Sequence, residues 1–217
     1  WATIRAVCDA GKGSNYWSVG DAKGITINGK VGATTFSNLA ISVFILGFNH
    51  NASREGSNRI HFQIGKINGT LVGLVDGNYS NYTSTTGAFT MNTSNTNSGG
   101  WNNSHMRKTV LGSNSASATS PAANTLLAAL PADLRAVMKP ATKYSDNTGG
   151  GSDTASYVTS TTDLLPLLSE FEYHGVRSYA NSAEKNYQAQ YDYYRAGNSK
   201  VPYRHNPPGT AALAWCR

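Results

Sequence analysis

The chain has 217 residues, of which 39% are apolar and only 14% charged, with a formal net charge of +6. That is enough apolar material for a core, but solubility has to rest on Ser, Thr, Asn and Gly rather than on charge, a composition more typical of extracellular and virion proteins than of cytoplasmic enzymes. The basic residues are scattered, with only Arg107-Lys108 and the run from Lys200 to Arg204 close together, which argues against a nucleic-acid partner, and no apolar run approaches the ~20 residues that span a bilayer.

The simplest partition is one domain over 1–217, β-rich from 1–100 and helix-containing from 101–217. The opening WATIRAV predicts a short helix or turn, and Gly11, Gly13 and Gly20 then mark a loop. In GITINGKVG, Ile25 and Ile27 alternate ahead of Asn28-Gly29, which predicts a hairpin turning there. The dense run ISVFILGFNH predicts a central buried strand. RIHFQIGKI alternates, with Ile60, Phe62 and Ile64 on one face and His61 and Gln63 on the other. Asn68-Gly69 turns it into a further strand, TLVGLVD. Together these segments predict an antiparallel sheet. Residues 77–100 form a long polar connection anchored by Phe89 and Met91.

The second half reads as helical. Trp101 to Ser104 leads into HMRKTVL, and SPAANTLLAAL predicts a helix capped by Ser120 with Pro121 at its first position. Another helical turn starts at Pro131 and ends before Pro140. KPATKYS returns as a strand, DNTGGGSDTAS is a loop, and VTSTTDLLPLLSEFE is a strand or short helix broken at Pro166. NSAEKNYQAQYDYYRAG, followed by Gly197, predicts an amphipathic helix with Tyr187, Tyr191 and Tyr194 as its core stripe. Exposed tyrosine would instead give contact area for sugars or proteins.

Candidate chemistry is sparse. Asp76, Asp146 and Asp153 lie in Gly/Asn-rich loops of the kind that bind calcium, but no EF-hand spacing is present and turn residues are the plainer reading. His50, His61, His105, His174 and His205 form no HExxH pattern, and there is no GxSxG elbow. Glu170 and Glu172 on an extended strand would share a face about 7 Å apart and suggest a glycoside-cleaving pair; a solvated sheet edge is the plainer reading. Cys8 and Cys216 near the two ends are either a disulfide or two free thiols, and no Cys/His metal cluster exists. The sequons starting at Asn51, Asn68, Asn78, Asn81, Asn92 and Asn102 follow from an Asn/Ser/Thr-rich composition. No cofactor is expected.

From about Ala10 to Trp215, the order YWSVGD, ITINGKVG, GGWNNSHMRK, LPADLRAVMKPATK, LLSEFE and a final AWCR resembles a bacterial and phage domain family of uncharacterised function. Members carry a Trp-Leu-Arg-Ser box and a C-type-lectin-like C-terminal part, related in architecture to formylglycine-generating-enzyme-like domains. They occur in gut Firmicutes and their phages. Trp215 and Arg217 match the box while Cys216 stands where Leu is usual, so the resemblance implies a chain cut short of its ligand loops. The cysteine pair of the oxidase-like relatives is absent.

The expected fold is α+β: a twisted, mainly antiparallel sheet with several short helices and long polar loops, C-type-lectin-like in arrangement. The expected function is non-enzymatic recognition of a glycan or protein receptor on a phage virion (tail-associated) or bacterial surface, a role that leaves room for a homo-oligomer. Assembly contacts with other virion or surface subunits are the alternative, and polysaccharide cleavage is the third reading.

Overall fold

Helix α1, Ala2–Asp9, opens the computed structural model, which describes residues 1–32, 34–74, 90–150, 152–205, 208–211 and 216–217. Asp76, Asn78, Asn81, Phe89 and Trp215 lie outside the described residues. After a short turn α2, Gly13–Tyr16, the chain enters a four-stranded antiparallel sheet in sequential order. Its strands are β1 (Ala22–Val31), β2 (Thr34–Phe48), β3 (Ile60–Ile67) and β4 (Thr70–Leu71). The α+β class is therefore as the sequence predicts.

Strand β2 explains its own apolar run, because both of its faces are covered. Ile41 and Val43 pack into a cluster with Ile25, Ile27, Leu126, Leu127 and Leu130. Phe44 and Leu46 pack on the other side with Tyr191, Tyr193 and Tyr194. A strand buried on both faces loses the alternation that a half-solvated strand shows. Strand β3 keeps its alternation, but His61 and Gln63 do not face water: Tyr191 Oη lies 3.2 Å from His61 Nδ1, and Tyr194 Oη donates to Gln63 Oε1 at 2.7 Å.

Several local expectations are corrected. The chain does not turn at Asn28-Gly29; β1 runs through it with a register irregularity, and Gly29 takes φ +127° close to Ala129. The positive φ open to glycine serves a bulge here rather than a hairpin. The Asn68-Gly69 turn forms as expected, but it leads into a β4 of only Thr70–Leu71.

The helix predicted from Ser120 starts later, as α5, Leu126–Ala129, after α3 (Ala52–Glu55) and α4 (Gly100–Asn103). Thr125 is its cap, accepting from the Ala128 amide at 3.2 Å, and Asn124 at φ +59° prevents helix from running in earlier. Helix α6, Ala132–Arg135, follows Pro131 as expected. Strands β5 (Ala141–Asp146) and β6 (Val158–Asp163) form a separate antiparallel pair.

LLSEFE leads into a helix and is not a sheet edge: α7 spans Glu170–His174. Ser169 and Glu172 form a reciprocal capping box, in which each side chain accepts the other's backbone amide. The amphipathic helix predicted over 181–196 is also broken. It becomes a 3-10 turn, Ser182–Asn186, an extended stretch, and a short α8, Asp192–Arg195. Helix formation loses because Tyr191 gives its amide to Glu172 O, and Gln188 reaches Ser169, Glu184 and Tyr144. A small pair, β7 (Tyr203–His205) and β8 (Pro208–Ala211), lies near the end, and Val72 bridges to Tyr203.

The two glycine-rich segments meet. A Cβ on Gly149 would sit 1.7 Å from Asn97 O, and one on Gly100 would sit 2.1 Å from Asp146 O. Both glycines also have positive φ. The backbone of 97–100 and the backbone of 146–149 thus lie in direct contact, which at Gly100 and Gly149 only residues without a side chain permit.

Candidate functional site

Alternation along β5 points Lys143 and Ser145 inward. Lys143 is 2% exposed, and its Nζ donates to Glu55 Oε2 at 2.8 Å, Glu172 Oε1 at 2.9 Å and Tyr191 Oη at 2.9 Å. All three ammonium protons are therefore used. Glu55 comes from α3 and Glu172 from the third position of α7, where the capping box fixes it. Arg217 completes the network. Its Nη1 donates to Tyr144 O and Ser145 Oγ, its Nε donates to Leu167 O, and its Nη2 lies 2.8 Å from Glu172 Oε2. This last contact is a charge contact without aligned hydrogen-bond geometry.

Two cations thus face two carboxylates in the interior. Burial opposes the charge on Glu172, yet Arg217 and Lys143 outweigh it and hold the carboxyl well below its ordinary range. Burial likewise opposes the Lys143 ammonium, but the Glu172 carboxylate, with Tyr191 and Glu55, raises its pKa above the usual lysine value. Glu55 goes the other way: burial raises it, and Lys143 offsets only part of the rise.

Two of the histidines are brought together here. His50 stacks on Tyr191 with ring centroids 3.7 Å apart, and His61 meets His50 edge-on at 5.7 Å. Burial pushes His50 down to about 4 and His61 well below its ordinary value, so both are neutral near pH 7. His50, Glu55 and Glu172 bring ligand atoms within 4.8 Å of one another. Lys143 Nζ is already at hydrogen-bond distance from both carboxylates and supplies the positive charge that a metal would bring. Sequence reasoning missed this constellation; the only local signals were the alternation of β5 and the Ser-x-x-Glu of α7.

A second buried network explains the GGWNNSHMRK segment. Asp163, at the end of β6, is 1% exposed. Its carboxylate accepts from Arg107 Nε at 2.6 Å, Trp101 Nε1 at 3.1 Å and Ser113 Oγ at 3.1 Å, and also from Thr161 Oγ1. The box is thus an anchor that ties a single π turn, Met106–Val110, to β6.

Glu170 and Glu172 do not form a reactive pair. Glu170 Oε2 accepts the amides of Ser178, Tyr179 and Ala180 at 3.1, 3.0 and 2.7 Å. Those amides overcome the effect of burial and hold its carboxyl below the usual range. Neither carboxyl is raised as a general acid requires. Asp146 accepts from Thr148, Gly149 and Asn181, and Asp153 Oδ1 accepts from Ser182 and Arg177, so both serve as loop anchors. Cys8 and Cys216 are both free thiols, and burial pushes Cys216 up to about 11. His174 packs edge-on against Tyr173 at 4.9 Å, and His105 is partly buried.

The anchors of Glu170, Asp146 and Asp153 converge on one surface loop, 175–181. Asn181 Nδ2 donates to Asp146 Oδ2 and to the carbonyls of Ser152 and Thr154, and Arg177 pairs with Asp153 at 2.9 Å. Tyr179 projects from this loop, 96% exposed, with Val176 67% exposed near it in sequence. By contrast, Tyr191, Tyr193 and Tyr194 are buried.

No helix among the described residues is long and apolar enough to cross a membrane. Comparison with protein-family models, with curated proteins and with solved structures finds no match.

Proposed function

We propose that this chain is a non-enzymatic recognition domain, displayed on a phage virion or bacterial surface, that grips a glycan or protein receptor through the loop 175–181. The supporting observation is Tyr179. A side chain 96% exposed sits on backbone pinned by three amide bonds to one carboxylate. A stiff, amphipathic ring carried on backbone that is fixed before contact loses less conformational entropy on binding than one on a mobile loop, which is how aromatic contact residues give affinity. The buried ionic networks of Lys143 and Asp163 fit a scaffold role. The C-type-lectin-like arrangement implied by the sequence resemblance belongs to this proposal.

The test is saturable binding of the labelled chain to candidate host cells and their extracted surface polysaccharides. Tyr179→Ala is expected to weaken binding by at least about tenfold, the loss typical of a central aromatic contact, with an unchanged melting temperature. Wild-type affinity in Tyr179→Ala would remove this loop from the site. No saturable binding by the wild-type chain would move the function to virion or surface assembly.

A further inference from the structure

A cavity of about 210 Å³ lies between α1, the segment around α6, and the sheet. Trp1, Ile4, Leu134, Val137, Met138 and Leu165 supply apolar walls. An apolar cavity of roughly 150 Å³ is large enough for benzene, so this one has room for a ring with a short side chain. Two buried charges, Lys143 and Asp163, also line it. Each is already matched within the protein, Lys143 by Glu55 and Glu172, and Asp163 by Arg107. The remaining charges in the lining are Arg5, Arg59 and Lys139. All three are partly exposed, so they mark the side of the cavity that meets water.

These three cations gather around one stretch of backbone. Arg5 Nη1 donates to Val137 O at 3.0 Å, Arg59 Nη1 donates to Pro140 O at 2.7 Å, and Lys139 Nζ donates at 3.0 Å to Asn58 O, the carbonyl next to Arg59. Among the described residues a single carboxylate serves them: Asp9 pairs with both Arg5 and Lys139, and Arg59 pairs with none. Three cations against one carboxylate leave positive charge at the edge of an apolar cavity. Pro140 O is the one acceptor that the Arg59 side chain meets among the described residues, so its guanidinium keeps N–H groups for a carboxylate, the acceptor its fork fits best. A cation would be repelled from this edge, and a neutral molecule would leave the charge unmatched.

We propose that this cavity binds a small apolar ring carrying a single carboxylate, with the ring among Trp1, Ile4, Leu134 and Met138 and the carboxylate at Arg59. Arg5 and Lys139 add to the attraction. 3-Phenylpropanoate and 3-phenylpropanamide have nearly the same shape and differ in charge at pH 7. Titration of each into the isotope-labelled chain is followed by amide shifts, with Ile4, Leu134 and Val137 reporting the cavity. The expected result is saturable binding with the carboxylate about fivefold tighter, the worth of one good, partly exposed charge pair, and a preference that shrinks as salt is added. Arg59→Gln brings the two probes to within about twofold of each other. Ile4→Trp fills the cavity from the α1 side and abolishes binding of both. An amide that binds the wild-type chain as tightly as the carboxylate overturns the anionic ligand. A preference left intact in Arg59→Gln overturns the placing of the carboxylate there. Absence of shifts at the cavity residues overturns the site. Should Ile4→Trp not fold, the position of the wild-type shifts and the Arg59→Gln comparison decide the matter between them.

Discussion

Glu172 and Arg217 meet at 2.8 Å in the interior, so the capping box of α7 is tied to the last residue of the sequence. The same carboxylate holds Lys143. Removing it would strand two buried cations, whereas a surface carboxylate could be lost at little cost. Glu172→Gln is therefore expected to lower unfolding free energy by about 3–5 kcal/mol, read from urea denaturation. A loss under about 1 kcal/mol would mean that the network is solvated and not structural.

Asp163 carries the second network. Asp163→Asn keeps the size but turns an acceptor into a donor facing Arg107 and Trp101. The expected cost is again about 3–5 kcal/mol, with a change in Trp101 fluorescence. Unchanged stability and emission would contradict the arrangement.

Stability should fall as pH falls through the histidine range. An unfolded histidine titrates near 6.5, while burial holds His50 at about 4 and His61 well below its ordinary value. Between these values the unfolded chain binds protons that the folded chain refuses, so acid favours unfolding. Each histidine contributes up to about 1.4 kcal/mol per pH unit. Glu55, raised by burial, acts in the opposite direction at the acid end, just above its unfolded range. The loss is thus expected to begin near pH 6.5 and to continue to about pH 4, measured as the urea midpoint. His50→Gln should make the profile shallower, and a flat wild-type profile would mean that both histidines are solvated.

Glu170 is predicted to act on recognition through the loop it holds. Glu170→Ala leaves the amides of Ser178, Tyr179 and Ala180 without their acceptor. Hydrogen exchange at these amides should rise, and receptor binding should weaken, while Tyr179 itself remains. Unchanged exchange would show that the loop is fixed by Asp146 and Asp153 alone.

The backbone crossing of the two glycine segments gives a steric test. Gly100→Ala would push a methyl group into Asp146 O at a backbone angle that alanine resists. A loss of about 2 kcal/mol or more is expected in thermal unfolding. A neutral effect would mean that the two segments do not touch.

The sequence by itself determined the local rules. Alternation marked β3, the apolar run marked β2, Asn68-Gly69 turned the chain, and Pro131 opened α6. The Ser169-to-Glu172 spacing carried a helix start, although LLSEFE was open to a strand reading until Glu172 had a partner. Local signals failed where a residue's environment came from distant segments. Gly29, at φ +127°, took a bulge within the pairing of β1 with β2, and the helix expected over 181–196 broke because Tyr191 and Gln188 bond to α7, β5 and the 3-10 turn. Only the tertiary structure decided that Lys143, Glu55, Glu172 and Arg217 are buried together while Tyr179 is exposed. The physical reason is that a charge enters the interior only with its partners. Those partners lie on α3, β5, α7 and the final residue, and nothing in any one segment announces the other three.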